Sequence, residues 1–158
     1  MPVLPLVEAA RLLPRKGPLL GLDLGTKTIG VAISDPDRRL AAGVATLARG
    51  RFSADAERLL ALAHERRAVG IVLGLPINMD GSEGPRAQST RAFGRNLAAL
   101  TELPIALWDE RLSTAAVERE LIAADASRAK RKAVIDQHAA AYILQGALDR
   151  LARLSSSD

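Results

Sequence analysis

The chain of 158 residues contains no cysteine. Disulfides and thiolate metal sites are therefore excluded, and the absence of cysteine favours a reducing cytoplasm. Aromatic residues make up only 3% of the chain, which argues against a protein that binds single strands by stacking bases on rings. No apolar run approaches the ~18–20 residues that span a bilayer, so we expect no membrane partner.

What the chain does contain is enough apolar sequence for one core. Hydrophobic residues make up 48% of it, which suits one well-packed domain and is too little chain for two. We predict an amino-terminal extension over residues 1–17, partly helical, a single domain over 18–154, and a frayed tail over 155–158. The net charge of +4 favours a polyanionic partner such as nucleic acid, bound through its phosphates and its shape.

The order of periodic segments predicts the fold class. Strand-like runs cover residues 18–24, 28–34, 39–47, 69–74 and 104–108, and helical patterns cover about 53–67, 85–100, 113–123 and 133–154. Three consecutive strands predict an antiparallel meander, whereas the later alternation of helix and strand predicts a parallel continuation. We therefore expect an α/β fold with a mixed five-stranded sheet, its first three strands antiparallel, and helices on both faces.

One aspartate interrupts an otherwise apolar strand. Asp23 lies near the end of the run Leu19-Leu20-Gly21-Leu22-Asp23-Leu24. Burying a carboxylate there costs several kcal/mol, as an order of magnitude, unless a cation or hydrogen bonds compensate it. The position therefore predicts a charged or polar site beside Asp23.

Further carboxylates are predicted at the same edge of the sheet. Asp109 and Glu110 directly follow the last strand, and open α/β sheets bind ligands where their parallel strands end. On the last helix, Asp136 shares the apolar stripe that continues through Ala140 and Ile143, so it is predicted to face the sheet. A first-turn acid is also stabilised by the helix dipole alone. Acids without histidine or cysteine suit Mg²⁺ or Mn²⁺, and two such ions can activate water and stabilise the leaving oxygen of a phosphodiester.

Basic and polar side chains flank these acids. Lys27, in the turn after Asp23, and a basic run before Asp136 are candidates for binding phosphates, although exposed lysines and a solvated link explain them equally well. The basic run contains Arg128, Lys130, Arg131 and Lys132. Supporting roles fall to Thr26, Asn78, Asp109 and His138, of which His138 lies off the apolar stripe.

Four motifs occur together in a recognisable order. They are Gly21-Leu-Asp-Leu-Gly-Thr-Lys-Thr-Ile-Gly-Val-Ala, Gly74-Leu-Pro-Ile-Asn-Met-Asp-Gly-Ser, Asp109-Glu-Arg-Leu-Ser-Thr-Ala, and Lys130-Arg-Lys-Ala-Val-Ile-Asp-Gln followed by Ala139-Ala-Ala-Tyr-Ile-Leu-Gln. The chain thereby resembles the YqgF/RuvX family, described as Holliday junction resolvases and as pre-16S ribosomal RNA nucleases. The resemblance covers about residues 18–152 and leaves the amino-terminal extension outside.

The resemblance implies a ribonuclease H-like fold and metal-dependent cleavage of phosphodiester bonds. By position it assigns the catalytic and metal-binding roles to Asp23, Glu110 and Asp136, and so selects Glu110 over Asp109. Arg111 joins Lys27 and the basic run as a phosphate-binding candidate. The family more often has an apolar residue where this chain has His138.

The leading hypothesis is thus a structure-specific endonuclease with two Mg²⁺ or Mn²⁺ ions. A four-way DNA junction needs two symmetric cuts and would favour a C2 homodimer, whereas precursor ribosomal RNA imposes no symmetry. An ATP-handling protein is a second hypothesis, because Asp-x-Gly-Thr also occurs in actin-like proteins, but those enclose nucleotide between two domains. A third is a catalytically silent nucleic-acid-binding module, which leaves Asp23 unexplained.

Overall fold

The computed structural model describes residues 3–112 and 128–156. Within the last helix, side chains are described for residues 138–155. The strands are β1 Val3–Pro5, β2 Leu19–Leu24, β3 Thr28–Ser34, β4 Ala41–Ala48, β5 Gly70–Leu75 and β6 Ile105–Asp109. The helices are α1 Leu6–Ala9, α2 Phe52–Glu65, α3 Pro85–Ala98 and α4 Arg128–Ser156, and a short 3-10 helix covers Glu110–Leu112. The predicted helix at 113–123 lies outside the described residues.

The strands form one mixed sheet in the order β1-β6-β5-β2-β3-β4. The hairpin pairs β2–β3 and β3–β4 are antiparallel, whereas β2–β5, β5–β6 and β1–β6 are parallel. This confirms the antiparallel meander and its parallel continuation. The central strands β2 and β5 are buried along their whole length, as expected for strands covered on both faces.

Two apolar clusters cover the two faces of the sheet. Alternate residues of the central strands, such as Leu22 and Leu73, pack with α2 and α3 on one face. Residues of opposite phase, such as Val72, pack with Ala140 and Ile143 of α4 on the other. The stripe predicted on the last helix is therefore confirmed from Ala140 onward, because Ala140, Ile143 and Ala147 are all fully buried.

The prediction of five strands is wrong by one, because the first residues of the chain add a sixth. Val3–Pro5 pair in parallel with β6, and Leu6 in α1 is buried in the core. Arg38 reinforces this docking, since its guanidinium donates to the carbonyls of Gly17, at 2.8 Å, and Pro14, at 2.6 Å. A three-residue strand is too short to show an alternation in the sequence. The division into extension, domain and tail stays a prediction.

The last helix begins earlier than predicted. We expected it from about residue 133, after a charged link, but α4 already starts at Arg128. The basic run therefore lies in the first turns of a helix and not in a loop. Alanine, lysine and arginine are strong helix formers, and no glycine or proline interrupts residues 128–137. Among the helices described, none is long and apolar enough to cross a membrane.

Candidate active site

Asp23 is buried on the face of the sheet that α4 covers. Only 3% of Asp23 is exposed. Its neighbours Leu22 and Leu24 belong to the cluster on the opposite face. Gly21, which shares the phase of Asp23, lies so close to α4 that an added Cβ would be 2.8 Å from Cβ of Leu144. Asp23 therefore points toward the α4 face, where the strand ends.

Glu110 reaches the same face across β5. Leu22 pairs with Leu73, so the next residues, Asp23 and Gly74, lie side by side. A Cβ added at Gly74 would be 2.9 Å from Oε1 of Glu110 and 2.7 Å from Cδ1 of Ile143. The absence of a side chain at Gly74 thus leaves the room that the Glu110 carboxylate occupies. The structure brings these two predicted acids to one place.

Asp109 has a different environment. Strand alternation turns it away from the face that its neighbour Trp108 shares with α4. Its carboxylate is held by Arg111, with Nη2–Oδ2 at 2.7 Å and Nε to both oxygens at 3.1 Å. Burial opposes ionisation of Asp109, but hydrogen bonds from the Arg111 side chain and backbone outweigh it and hold the pKa below its ordinary value. Asp109 acts here as the partner of Arg111.

Asp136 lies in α4 one turn before Ala140, and its side chain is outside the described residues. The helix runs antiparallel to β2. Gln145 accepts a hydrogen bond from the backbone N–H of Ala41, and Ala41 is level with the start of β2 in the sheet. Ala140, which comes earlier in α4, lies against Gly21, which is farther along β2. The backbone at residue 136 therefore approaches the edge where Asp23 lies. Its role as a ligand stays a prediction.

Among the side chains that the structure describes, no cluster of three or more histidine or acidic residues forms a metal site. The set predicted from sequence needs the carboxylate of Asp136 as its third member. The side chains of Arg128, Lys130, Arg131 and Lys132 also lie outside the described part of α4.

The turn after Asp23 is tight and exposed at its tip. The backbone N–H of Gly25 donates to the carbonyl of Thr28 at 2.8 Å, and a Cβ on Gly25 would be 3.0 Å from that oxygen. Thr26 and Lys27 are exposed. The turn therefore places Lys27 next to the strand end as predicted, while its binding role stays untested.

Sequence reasoning missed two arginines that hold this turn. Arg86, in the first turn of α3, donates from Nη2 to the carbonyl of Leu24 at 3.1 Å. Arg49, just after β4, donates from Nη1 to the carbonyl of Gly25 at 2.7 Å. The only signal available was that both residues stand at element ends, and pairing of distant elements decides which ends meet.

Asn78 and His138 have local roles in the structure. Asn78 donates from Nδ2 to Oγ of Ser82 at 3.1 Å and so shapes the loop between β5 and α3. His138 is exposed and lies near Tyr142, with ring centroids 6.4 Å apart, in a groove of about 350 Å³ between α4 and the edge strand β4. Their supporting roles stay predictions.

Comparison with known proteins identifies close relatives. The family model described as "RuvX: Holliday junction resolvase" matches residues 17–150. A protein of Rhodopseudomonas palustris (strain HaA2) named "Putative pre-16S rRNA nuclease" is 75% identical over 156 residues, covering 99% of this chain and 98% of the relative. A protein of the same name from Nitrobacter hamburgensis is 76% identical over 152 residues, covering 96% of this chain and 93% of the relative.

Solved structures of more distant proteins share the fold. RuvC of T. thermophilus in complex with a Holliday junction substrate superposes with a TM-score of 0.54 at 14% identity, covering 88% of this chain and 96% of that one. The yeast mitochondrial Holliday junction resolvase Ydc2 superposes with a TM-score of 0.52 at 14% identity, covering 96% and 86%. At this identity the likeness concerns the fold alone, and it agrees with the mixed sheet described above.

Proposed function

The chain belongs to the RuvX family, and on that basis we propose that it is a metal-dependent endonuclease that hydrolyses phosphodiester bonds in structured nucleic acid. The observation that carries the proposal is that Asp23 and Glu110 both lie next to Gly74. A buried aspartate at a strand end lies beside Gly74, and the carboxylate of Glu110 occupies the space above that glycine. Two carboxylates gathered at a strand end form a site for a cation.

The residues present fit Mg²⁺ or Mn²⁺. Asp23, Glu110 and Asp136 offer only carboxylate oxygens, which these hard cations prefer. The space at Gly74 would be lost if that residue carried a side chain. We propose that these three residues hold two ions. Such ions, when bound, lower the pKa of water and offset the charge on a departing oxygen.

The protein's own side chains would orient the substrate. Lys27 stands at the tip of the turn after Asp23, and the basic run of residues 128–132 begins the helix that carries Asp136. Arg111 is held by Asp109, which raises the pKa of its guanidinium through their hydrogen bonds, so its charge is fixed beside Glu110. We propose that these cations bind phosphates on either side of the scissile bond.

Two substrates are candidates. A four-way DNA junction, in recombination and repair, follows from the description of the family model, and symmetric cleavage would require a homodimer. Precursor 16S ribosomal RNA follows from the name of relatives that are 75% identical over almost their whole length, and we propose that cleavage would process its 5′ end in ribosome biogenesis. With either substrate, we propose that the protein acts in the cytoplasm.

The test is a cleavage assay with Mg²⁺ or Mn²⁺ on a synthetic four-way junction, a plain DNA duplex and a precursor rRNA fragment. Cleavage of one structured substrate, and its loss with a chelator, would support the proposal and identify the nucleic acid. No cleavage of any of them would favour the silent binding module. Titration with Mn²⁺ should also raise the thermal unfolding midpoint, because an ion that binds only the folded state stabilises that state.

A further inference from the structure

Three cations surround the turn that follows Asp23. Lys27 belongs to the turn itself, and Arg49 and Arg86 each donate to a backbone carbonyl of its residues. The backbone N–H of Arg49 also donates to the carbonyl of Lys27 at 2.8 Å. We call Lys27, Arg49 and Arg86 the turn cluster.

The arginines of the turn cluster differ from other arginines nearby. Arg58, Arg91 and Arg111 each form an ion pair with a carboxylate, namely that of Asp55, Glu83 or Asp109. In the part of the chain that the structure describes, no ion pair includes a member of the turn cluster. The printed bonds of Arg49 and Arg86 go to neutral carbonyls. Three cations that form no ion pair with a described carboxylate therefore gather at one strand end.

The geometry holds both arginines in place. The guanidinium of Arg49 lies 5.6 Å from the ring centroid of Phe93, a cation–π distance, and its Nη1 bond to Gly25 fixes its direction. Arg86 stands directly after Pro85, the first residue of α3, and reaches across to β2. Each guanidinium carries five N–H donors, and the described contacts use one of them in each case.

We propose that the turn cluster binds backbone phosphates of the nucleic acid on the side of β2 opposite α4. Asp23 faces α4, whereas Arg86 and Phe93 belong to α3, which packs on the other face. The basic run of α4 and the turn cluster would then hold the strand from both sides of the carboxylates. Guanidinium donors in a fixed fork suit phosphate oxygens well. This inference rests on the proposed nuclease function, and adds Arg49 and Arg86 to its binding surface.

The test measures binding without cleavage. Fluorescence anisotropy in EDTA would follow a labelled four-way DNA junction and a labelled RNA hairpin with a single-stranded arm, between about 50 and 200 mM salt. Arg49→Gln and Arg86→Gln should each lower the slope of log affinity against log salt by about 0.7 to 0.9 on whichever probe the protein binds. Arg95→Gln is the matched control, because it removes the same charge from α3 about 14 Å from Arg86.

Lysine variants separate charge from folding. Arg49→Lys and Arg86→Lys keep the charge and should keep the slope, while binding weakens because the planar fork is lost. If thermal unfolding shows that a glutamine variant does not fold, the corresponding lysine variant takes its place in the binding measurement. A slope that is unchanged in both glutamine variants, or that Arg95→Gln lowers equally, would overturn the proposed role of the turn cluster. The nuclease proposal would still stand if the wild type cleaves its substrate. Failure of the wild type to bind either probe would overturn the nuclease proposal as well.

Discussion

Two buried aspartates of this protein have opposite surroundings. Asp55, in the first turn of α2, is 1% exposed and Asp23, near the end of β2, is 3% exposed. The carboxylate of Asp55 accepts from the backbone N–H of Gly50, at 3.1 and 3.2 Å, and from Nη2 of Arg58 at 2.7 Å. Asp23 lies instead beside Gly74, over which the carboxylate of Glu110 extends.

Burial alone therefore does not mark a functional acid. The charge of Asp55 is compensated by a cation and a backbone donor that lie close to it in sequence. Its carboxylate therefore stabilises the start of α2. Asp23, near the end of β2, and Glu110, in the 3-10 helix after β6, are far apart in sequence and share one face, where their carboxylates offer oxygen ligands to a cation. The two sites should respond in opposite ways to loss of charge.

The largest effect is expected at Asp23. Asp23→Asn should lower the cleavage rate by at least about 10³-fold, equivalent to about 4 kcal/mol of transition-state stabilisation, because a neutral amide cannot replace a charged metal ligand. Glu110→Gln should match it. Thermal unfolding in metal-free buffer would show that both variants are folded. Cleavage within tenfold of wild type would refute the proposed site.

A smaller loss of activity is expected at Gly74. The Cβ of Gly74→Ala would meet Oε1 of Glu110 at 2.9 Å and Cδ1 of Ile143 at 2.7 Å, so both side-chain ends must shift. Displacing a catalytic carboxylate by about 1 Å should slow cleavage about 10- to 100-fold. Rate measurements at saturating metal would show whether the loss persists when ion binding is complete.

Gly84→Ala is the control for this substitution. Its new Cβ would lie 3.6 Å from the nearest atom, Nδ2 of Asn78, which is ordinary van der Waals contact, and its φ of −87° suits alanine. We expect its stability to change by less than about 1 kcal/mol and its cleavage rate to stay at the wild-type level. Equal losses of cleavage rate in both alanine variants would mean that cleavage depends on the segment between β5 and α3 as a whole, and not on the position of the Glu110 carboxylate.

Asp55 should show the reverse of Asp23. Asp55→Asn weakens the hydrogen bonds to Gly50 and Arg58, which should cost about 1–3 kcal/mol of the free energy of unfolding and lower the unfolding midpoint by about 2 to 10 °C. At saturating substrate, cleavage per folded molecule should not change, because Asp55 packs on the face of the sheet opposite to the carboxylates of Asp23 and Glu110. A cleavage defect as deep as that of Asp23→Asn would remove the contrast between the two acids.

Much of the fold was predictable because its signals are local. The apolar runs of β2 and β5 and the stripe from Ala140 on α4 appear in the sequence as periodicity, and the structure confirms them. The strand Val3–Pro5 was missed because its identity comes from pairing with β6 and not from its own three residues. The basic run was wrongly predicted to be a charged link. Its many charges suggested a solvated segment, although its residue types strongly favour a helix.

The site was predictable only in part. Asp23 stood out because its charge conflicts with its neighbours in sequence, and the resemblance to a known family selected Glu110 over Asp109. In the structure Asp109 forms an ion pair with Arg111, whereas Glu110 extends over Gly74, and the choice between the two acids stays a prediction. Arg49 and Arg86 conflict with nothing around them in sequence, and their approach to Leu24 and Gly25 depends on how β4 and α3 meet β2.

The smallest effect is expected at Asp109, and it depends on pH. Its pKa is below the ordinary value of about 4, so the folded state gains stability from its ionisation above that value and loses it as pH falls through the lowered pKa. Asp109→Asn should therefore cost about 1 kcal/mol or less at neutral pH, since the pair is partly exposed. Urea unfolding of wild type and variant should converge once the pH falls below the lowered pKa of Asp109. A difference that persists there would show that packing, and not the charge on Asp109, supports Arg111 beside Glu110.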